Sequence, residues 1–362
     1  MLRSLRKLAI RKTLLVRPAG SPARFDAGKD RTSRGKGVLA THDSSTANPR
    51  QVRLSARGHW LANLPRAVLM AALLFGGISA ALAEAQTKPE AAKPAARPDK
   101  LVVGLLPGES APTVMRLNEP LRAYLEKTLK IPVELVVGAN YAATGEALRF
   151  GRLDIAYLGP VTYLLRARSS KLQPFARPSH EVVGPTFQAV VIVPADSPAK
   201  TLADLKGKDV AFGDPASTSG TWVPRYQLLA AGLVSGRDYE LRVLGAHDAV
   251  ALAVANKKVA AGGLSYPIYQ RLLKEGKIDK NATRILELSP PIPEYMWTFR
   301  EGLDPAFKEE IRKAFISVTD PEALKVFRAE AFIPAVDSDV DRVRTWMDAI
   351  KAANPEAIPA PQ

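Results

Sequence analysis

The sequence predicts an α/β fold of two lobes, each a mostly parallel sheet flanked by helices, with a hinge made of two crossing segments. Three observations carry this expectation. From Leu101 onward, short runs rich in Val, Ile and Leu alternate with helical patterns, the order that builds β-α-β units. A second cycle of the same kind opens at Thr201-Leu-Ala-Asp-Leu-Lys-Gly-Lys208. The last stretch reads as helices, which need a sheet face to cover.

In chain order, the first cycle has a strand over 101–106, a helix over 112–129 and the strand Val133-Glu-Leu-Val-Val137. A helix over 142–150 leads to a strand over 154–157, and a helix over 160–168 precedes Phe187-Gln-Ala-Val-Val-Ile-Val193. The second cycle places strands at 209–213, 239–244 and 259–264, with helices over 220–231, 247–256 and 267–275. After Ile285-Leu-Glu-Leu288 only helices are expected, over 305–317, 321–328 and 338–351. The economical topology leaves the first lobe near Val193, builds the second, and returns near Ile285. Residues 100–193 plus 285–352 then form lobe 1, residues 194–284 form lobe 2, and residues 353–362 are a tail.

The 362 residues are 46% hydrophobic and 24% charged, a soluble globular composition that excludes collagen, wholesale disorder and a multi-span membrane protein. The net charge of +15 is unevenly placed. Residues 1–83 hold 15 Lys and Arg against 3 Asp and Glu, and the remainder holds 36 against 33. The basicity belongs to the leader, so no nucleic-acid partner is expected. Absence of cysteine removes disulfides, thiolate metal sites and cysteine nucleophiles, and suits an oxidising compartment.

Residues 66–83 combine Arg66, an apolar core and Ala81-Leu82-Ala83, the pattern of a secretory signal peptide. The apolar run falls short of the roughly 20 residues that span a bilayer. Residues 1–65 are Arg-rich, Ser-rich and acid-poor, and are expected to be a disordered extension or the product of a start codon placed too early. Residues 84–99 carry no large apolar side chain and are expected to be a flexible linker. Cleavage after Ala83 is the expected outcome; N-terminal sequencing of exported protein that begins upstream of Arg66 would contradict it.

Two-lobed α/β proteins bind ligands outside the carboxyl ends of their strands, where loops lead into helix N-termini. Asp214-Pro-Ala-Ser217-Thr218-Ser219-Gly220-Thr221 lies at such a place. Three hydroxyls and the first-turn N–H groups make a ring of neutral donors that can hold a doubly charged oxyanion without a buried counter-charge. The alternative is that Ser and Thr merely cap the helix. His247, with Asp248, starts the next helix at the same rim, where it can donate to an oxyanion and tighten its contact on protonation near neutral pH; otherwise it is a surface or capping residue. Tyr141 and Tyr157 close two lobe 1 strands and can point phenols into the cleft, or simply pack. Ser217, His247 and Asp214 could make a triad, yet no Gly-x-Ser-x-Gly elbow, nucleotide loop or His-Glu-x-x-His accompanies them.

Asp214-Pro-Ala-Ser-Thr-Ser-Gly220, followed by His247-Asp-Ala-Val-Ala-Leu-Ala253, resembles the phosphate/phosphite/phosphonate-binding family of periplasmic solute-binding proteins. Asn140-Tyr-Ala-Ala143, Phe150-Gly-Arg-Leu-Asp-Ile-Ala-Tyr-Leu-Gly-Pro160 and Ser289-Pro-Pro-Ile-Pro293 support it, and together they cover residue 101 to about residue 330. The resemblance implies a periplasmic binding protein fold of type II-like form and a non-enzymatic, monomeric component of an ABC importer, partnered by a membrane permease and an ATPase. It implies no cofactor and no metal. By the resemblance, Ser217, Thr218, Ser219 and Gly220 at the helix start grip a phosphorus oxyanion, with His247, Tyr141 and Tyr157 completing the site. Members that take amino-substituted phosphonates place acids after the strand near 260–265. Here Ser265 and Tyr266, both expected to line the ligand site, stand in that region, leaving Glu294 as the nearby acid. An ammonium-bearing ligand is therefore disfavoured. Two other readings are a same-fold binding or sensor protein for another small anion such as a sulfonate, and a phosphoryl-ester enzyme.

Overall fold

In the computed structural model, which describes residues 97–354, the expected alternation holds as far as residue 167. β1 (Leu101–Leu105), α1 (Ala111–Leu129), β2 (Val133–Val137), α2 (Tyr141–Arg149), β3 (Ile155–Leu158) and α3 (Pro160–Ala167) follow one another, then β4 (Gln173–Ser179), β5 (Thr186–Phe187) and β6 (Ala189–Pro194). The leader, the signal segment, most of the linker and nearly all of the tail lie outside the described residues. The second lobe runs through β7 (Asp209–Gly213), α4 (Val223–Ala230), β8 (Glu240–Gly245), α5 (His247–Ala255), β9 (Ala261–Ser265), α6 (Tyr266–Lys274) and β10 (Thr283–Leu288). The chain ends with β11 (Ile292–Pro293), β12 (Met296–Phe299), α7 (Pro305–Ile316), α8 (Pro321–Lys325), β13 (Ala331–Ile333) and α9 (Asp341–Ala353).

Two sheets result, ordered β13-β4-β12-β3-β1-β2 and β10-β6-β9-β7-β8. Each is mixed rather than mostly parallel. β2-β1-β3 and β8-β7-β9 pair in parallel, as helical crossovers dictate, while the remaining strands join antiparallel. The return segment supplies β12 and β13 where only helices were expected. Met296-Trp-Thr-Phe299 is four residues long and wholly buried, wedged antiparallel between β3 and β4, too short a run to stand out by periodicity.

The lobe boundaries move for a similar reason. β6, expected to finish lobe 1 at Val193, sits in the second sheet between β10 and β9. All six of its residues are buried, and a continuous apolar strand carries no mark of which sheet it joins. The crossings therefore fall at about residues 186–189 and 289–293. They are tied together: β5 pairs β11 through Phe187↔Ile292, and Ala189 N–H donates to Ser289 Oγ at 2.9 Å while Ser289 N–H donates to the Ala189 carbonyl at 2.9 Å.

Aromatic packing under α7 and α8 anchors the first sheet, with Phe175 stacked on Phe299 at 3.9 Å and Trp297 fully buried. A second core joins the lobes. Tyr141, Leu158 and Val161 pack in one cluster with Ala216, Trp222 and Val223 of the other lobe and with Val343, Trp346 and Met347 of α9. Trp346 stacks on Tyr226 of α4 at 5.3 Å. The carboxyl ends of the parallel strands from both lobes thus face one another across a narrow interface.

Candidate functional site

The turn after β7 is built by its first residue. Asp214 Oδ1 accepts the Ala216 N–H at 2.7 Å, and its carbonyl accepts Ser217 N–H at 2.8 Å and the Thr221 hydroxyl at 2.7 Å. Ser217 Oγ then accepts Gly220 N–H at 3.1 Å as a helix cap. The helix expected from 220 opens instead as a π-helical turn, Thr218–Trp222, with Trp222 N–H reaching the Ser217 carbonyl at 3.1 Å. Such wide turns are frequent at functional places, and this one brings all three hydroxyls into the interface, each residue no more than 1% exposed.

Four contacts cross between the lobes at this point. Thr218 Oγ1 accepts Val161 N–H at 3.0 Å, at the start of α3, and the Thr162 hydroxyl donates to the Ala216 carbonyl at 3.0 Å. Tyr141 N–H, at the start of α2, donates to Asp214 Oδ2 at 3.0 Å. His247 N–H, at the start of α5, donates to the Gly108 carbonyl at 3.0 Å. Helix-start N–H groups lack acceptors within their own helix, so in three of these four contacts an oxygen of the opposite lobe satisfies one.

The Tyr141 phenol lies within reach of the Ser217 hydroxyl and of the Tyr295 phenol, which also approaches Ser217. The Ser219 hydroxyl is fully buried without a well-aligned partner, within reach of Tyr295. Tyr295 is a candidate site residue that the sequence reading missed. It falls in the two-residue gap between β11 and β12, where no local pattern marks it. Burial drives the Tyr141 phenol well above its ordinary range and raises Tyr295 to about 12, so both stay protonated donors.

His247 departs from expectation in its charge. Burial lowers its pKa to about 4, so it is neutral, not cationic, near pH 7. Ser265 N–H donates to its Nδ1 at 3.2 Å, which fixes the tautomer with the proton on Nε2. A β-carbon at Gly220 would come within 2.8 Å of the ring's Cε1, and one at Gly108 within 3.5 Å of Cδ2 and 3.1 Å of the Tyr141 oxygen. Nε2–H, between those two ring carbons, opens toward the same small space. This arrangement also dissolves the conceivable triad: Nδ1 accepts an amide proton where a triad needs it to donate to a carboxylate, and Asp214 spends its oxygens on Tyr141 and Ala216.

The other expected residues are arranged around this centre. Gly220 lines it, and Ser265 acts through its amide on His247. Tyr157 stands behind Tyr295, with ring centroids 5.3 Å apart, and packs on Trp297 and Phe327. Tyr266 packs half-buried on the second lobe's core. Glu294 is not a free acid. It is buried and pairs with His180 at 3.0 Å and Arg328 at 3.4 Å. Glu109, next to Gly108, is likewise buried and pairs across the lobes with Arg271. Open surface concavities of about 440 and 680 Å³, lined by Glu126 and Lys127 and by Asp196 and Lys257 among others, lie away from this centre.

Fold and cleft together define a two-lobed α/β binding protein of the periplasmic type. Residues 103–340 match the family described as ABC transporter, phosphonate, periplasmic substrate-binding protein, and the chain belongs to that family. It is 30% identical over 218 residues to the phosphonates-binding periplasmic protein of Escherichia coli, covering 59% of this chain and 64% of that protein, just under two thirds of its length. It is 26% identical over 288 residues to the phosphate-import protein PhnD of Mycolicibacterium smegmatis, covering 72% and 89%. Among solved structures, PhnD1 from Prochlorococcus marinus in complex with methylphosphonate superposes with a TM-score of 0.63 at 20% identity, covering 70% of this chain and 99% of that one. A binding protein component of an ABC phosphonate transporter from Pseudomonas aeruginosa does so at 0.65 and 23%, covering 73% and 91%. These two share its fold.

Proposed function

We propose that this protein is the periplasmic solute-binding component of an ABC importer and captures a phosphonate, phosphite or phosphate oxyanion between its lobes, delivering it unaltered to a permease powered by an ATPase. The observation that carries this is the convergence, from both lobes, of neutral donors on one enclosed point: the hydroxyls of Ser217, Thr218 and Ser219, the phenols of Tyr141 and Tyr295, and Nε2–H of His247. Neutral donors suit an oxyanion that must leave water, because each hydrogen bond to a charged acceptor is worth more than a neutral one while no counter-ion has to be buried with it. Thr218 has two tasks in this reading. Its oxygen already accepts Val161 N–H, which leaves its own proton for the ligand. Thr218→Ala is expected to weaken binding by about 1 to 3 kcal/mol; unchanged affinity by calorimetry removes the turn from the site.

Ligand choice within the class follows from the acids. Glu294 and Glu109 are both already paired, so an ammonium group drawn into the closed cleft would lose hydration without gaining a carboxylate. 2-Aminoethylphosphonate is expected to bind about tenfold more weakly, or about 1.4 kcal/mol, than methylphosphonate, phosphite or phosphate. A thermal-shift panel of these four with sulfate tests both statements. Stabilisation by sulfate alone, or by none of them, removes the phosphorus-oxyanion reading. Preference for the amine reverses the second statement.

A further inference from the structure

We propose that Asp214 is a positioning residue: by gripping the main chain of Tyr141 across the cleft, it sets the Tyr141 phenol in place when the lobes close. The inference rests on reading the cleft as the oxyanion site. Asp214 is buried, 6% exposed, and each carboxylate oxygen has its own duty. Oδ1 accepts Ala216 N–H within the turn, and Oδ2 accepts Tyr141 N–H from the other lobe.

The second bond is not needed to start α2. Asn140 already caps that helix, with Oδ1 accepting Ala143 N–H at 2.7 Å. A carboxylate at a helix start is nevertheless favoured by the aligned peptide dipoles and by the N–H left without an intrahelical acceptor. A carboxylate that leaves water needs hydrogen bonds in place of its hydration, and Tyr141 N–H is the donor that the opposite lobe supplies. Tyr141 is thereby held at both ends by one turn. Asp214 holds its N–H, and its phenol lies against the Ser217 hydroxyl. The turn that presents the three hydroxyls thus also fixes the tyrosine that faces them.

Asp214→Asn separates the two duties. Its amide oxygen can keep the turn bond to Ala216, as Asx residues do with the residue two ahead, while its NH2 meets the Tyr141 N–H donor to donor. Asp214→Ser also keeps a short-range acceptor for the turn and gives up the reach to Tyr141 without that clash. Methylphosphonate titrated calorimetrically into both variants, each with and without Tyr141→Phe, reads the coupling. The expected result is a loss of at least about tenfold with Tyr141 present and less than about threefold in the Tyr141→Phe background, because a misplaced phenol costs nothing once the hydroxyl is gone. Equal losses in both backgrounds, or no loss, overturn the proposal.

Amide exchange supplies a readout that does not depend on the ligand. First-turn helix amides ordinarily exchange fast. Tyr141 N–H is expected to be protected in the wild type and unprotected in both variants, at near-unchanged melting temperature. An unprotected amide in the wild type, or protection that survives in the variants, overturns the proposal even if no phosphorus oxyanion binds, an outcome that by itself removes only the functional reading.

Discussion

Gly220→Ala is expected to abolish oxyanion capture, with a loss of affinity of at least about 100-fold, or about 2.7 kcal/mol, in a protein that still folds. The added methyl would stand 2.8 Å from His247 Cε1, 3.2 Å from its Nδ1 and 2.9 Å from Ser217 Oγ. None of these can withdraw cheaply. His247 is anchored at its main chain by the Gly108 carbonyl and at Nδ1 by Ser265 N–H, and Ser217 Oγ caps the very residue being changed. Overpacking of this kind costs about 1 to 3 kcal/mol even in a pliable core, and here it falls on two of the groups proposed to hold the ligand. Gly108→Ala makes the comparison: its methyl would meet the Tyr141 oxygen at 3.1 Å, the far end of one side chain, and a milder loss is expected. Calorimetry on both variants, with circular dichroism for folding, checks the ordering. Near wild-type affinity for Gly220→Ala would mean that the closed arrangement of Gly220 and His247 is not the one that binds.

What the sequence revealed and what it withheld divide along a physical line. The parallel halves of both sheets, the Ser-Thr-Ser turn, Tyr141 and His247 were legible because each is written locally, as a β-α alternation or as hydroxyls at a helix start. The antiparallel half is not. β4 contains Pro174 and Pro178, which argue against a strand flanked on both sides, yet β12 and β13 lie beside it. A register shift between Trp297 and Thr298 opposite Ala176 and Pro174 absorbs the missing donor. β12 and Tyr295 follow a proline-rich stretch, and their role comes only from pairing with β3, far back in the chain. The charge state of His247 was illegible for a related reason. A helix-starting histidine reads as a surface group near its ordinary pKa, and only closure of the other lobe over it, through Gly108, makes it a buried neutral donor. The acids invert the lesson: Glu294 looked available in sequence and is committed to His180 and Arg328 in the fold.

Acidification from pH 6.5 to 4 is expected to remove about 3 kcal/mol from the closed form through His247 alone. The residue is 2% exposed, and burial holds its pKa at about 4 against an ordinary 6.5. A protonated ring would also set its Nδ1 proton against Ser265 N–H. The sign follows from linkage. Between these two values the unfolded or opened chain takes up a proton that the closed form refuses, so the contribution is complete above pH 6.5 and is lost as pH falls to 4. The slope reaches about 1.4 kcal/mol per pH unit within that interval and tapers at both ends, which gives the figure of about 3. His180 works in the opposite sense. Its hydrogen bond to Glu294 raises its pKa, so its contribution is present below the ordinary value and fades as pH climbs through the raised one. Denaturant midpoints of wild type, His247→Asn and His180→Asn between about pH 4 and 8 separate the two, since the asparagine amide introduced by His247→Asn can still accept Ser265 N–H but does not titrate. The wild-type minus His247→Asn difference should fall steeply below pH 6.5, and bound methylphosphonate should shrink that fall, because an anion beside Nε2 favours the protonated ring. A difference that stays flat down to pH 4 would mean that the ring is hydrated in solution and that the ligand, not the empty cleft, draws the lobes together.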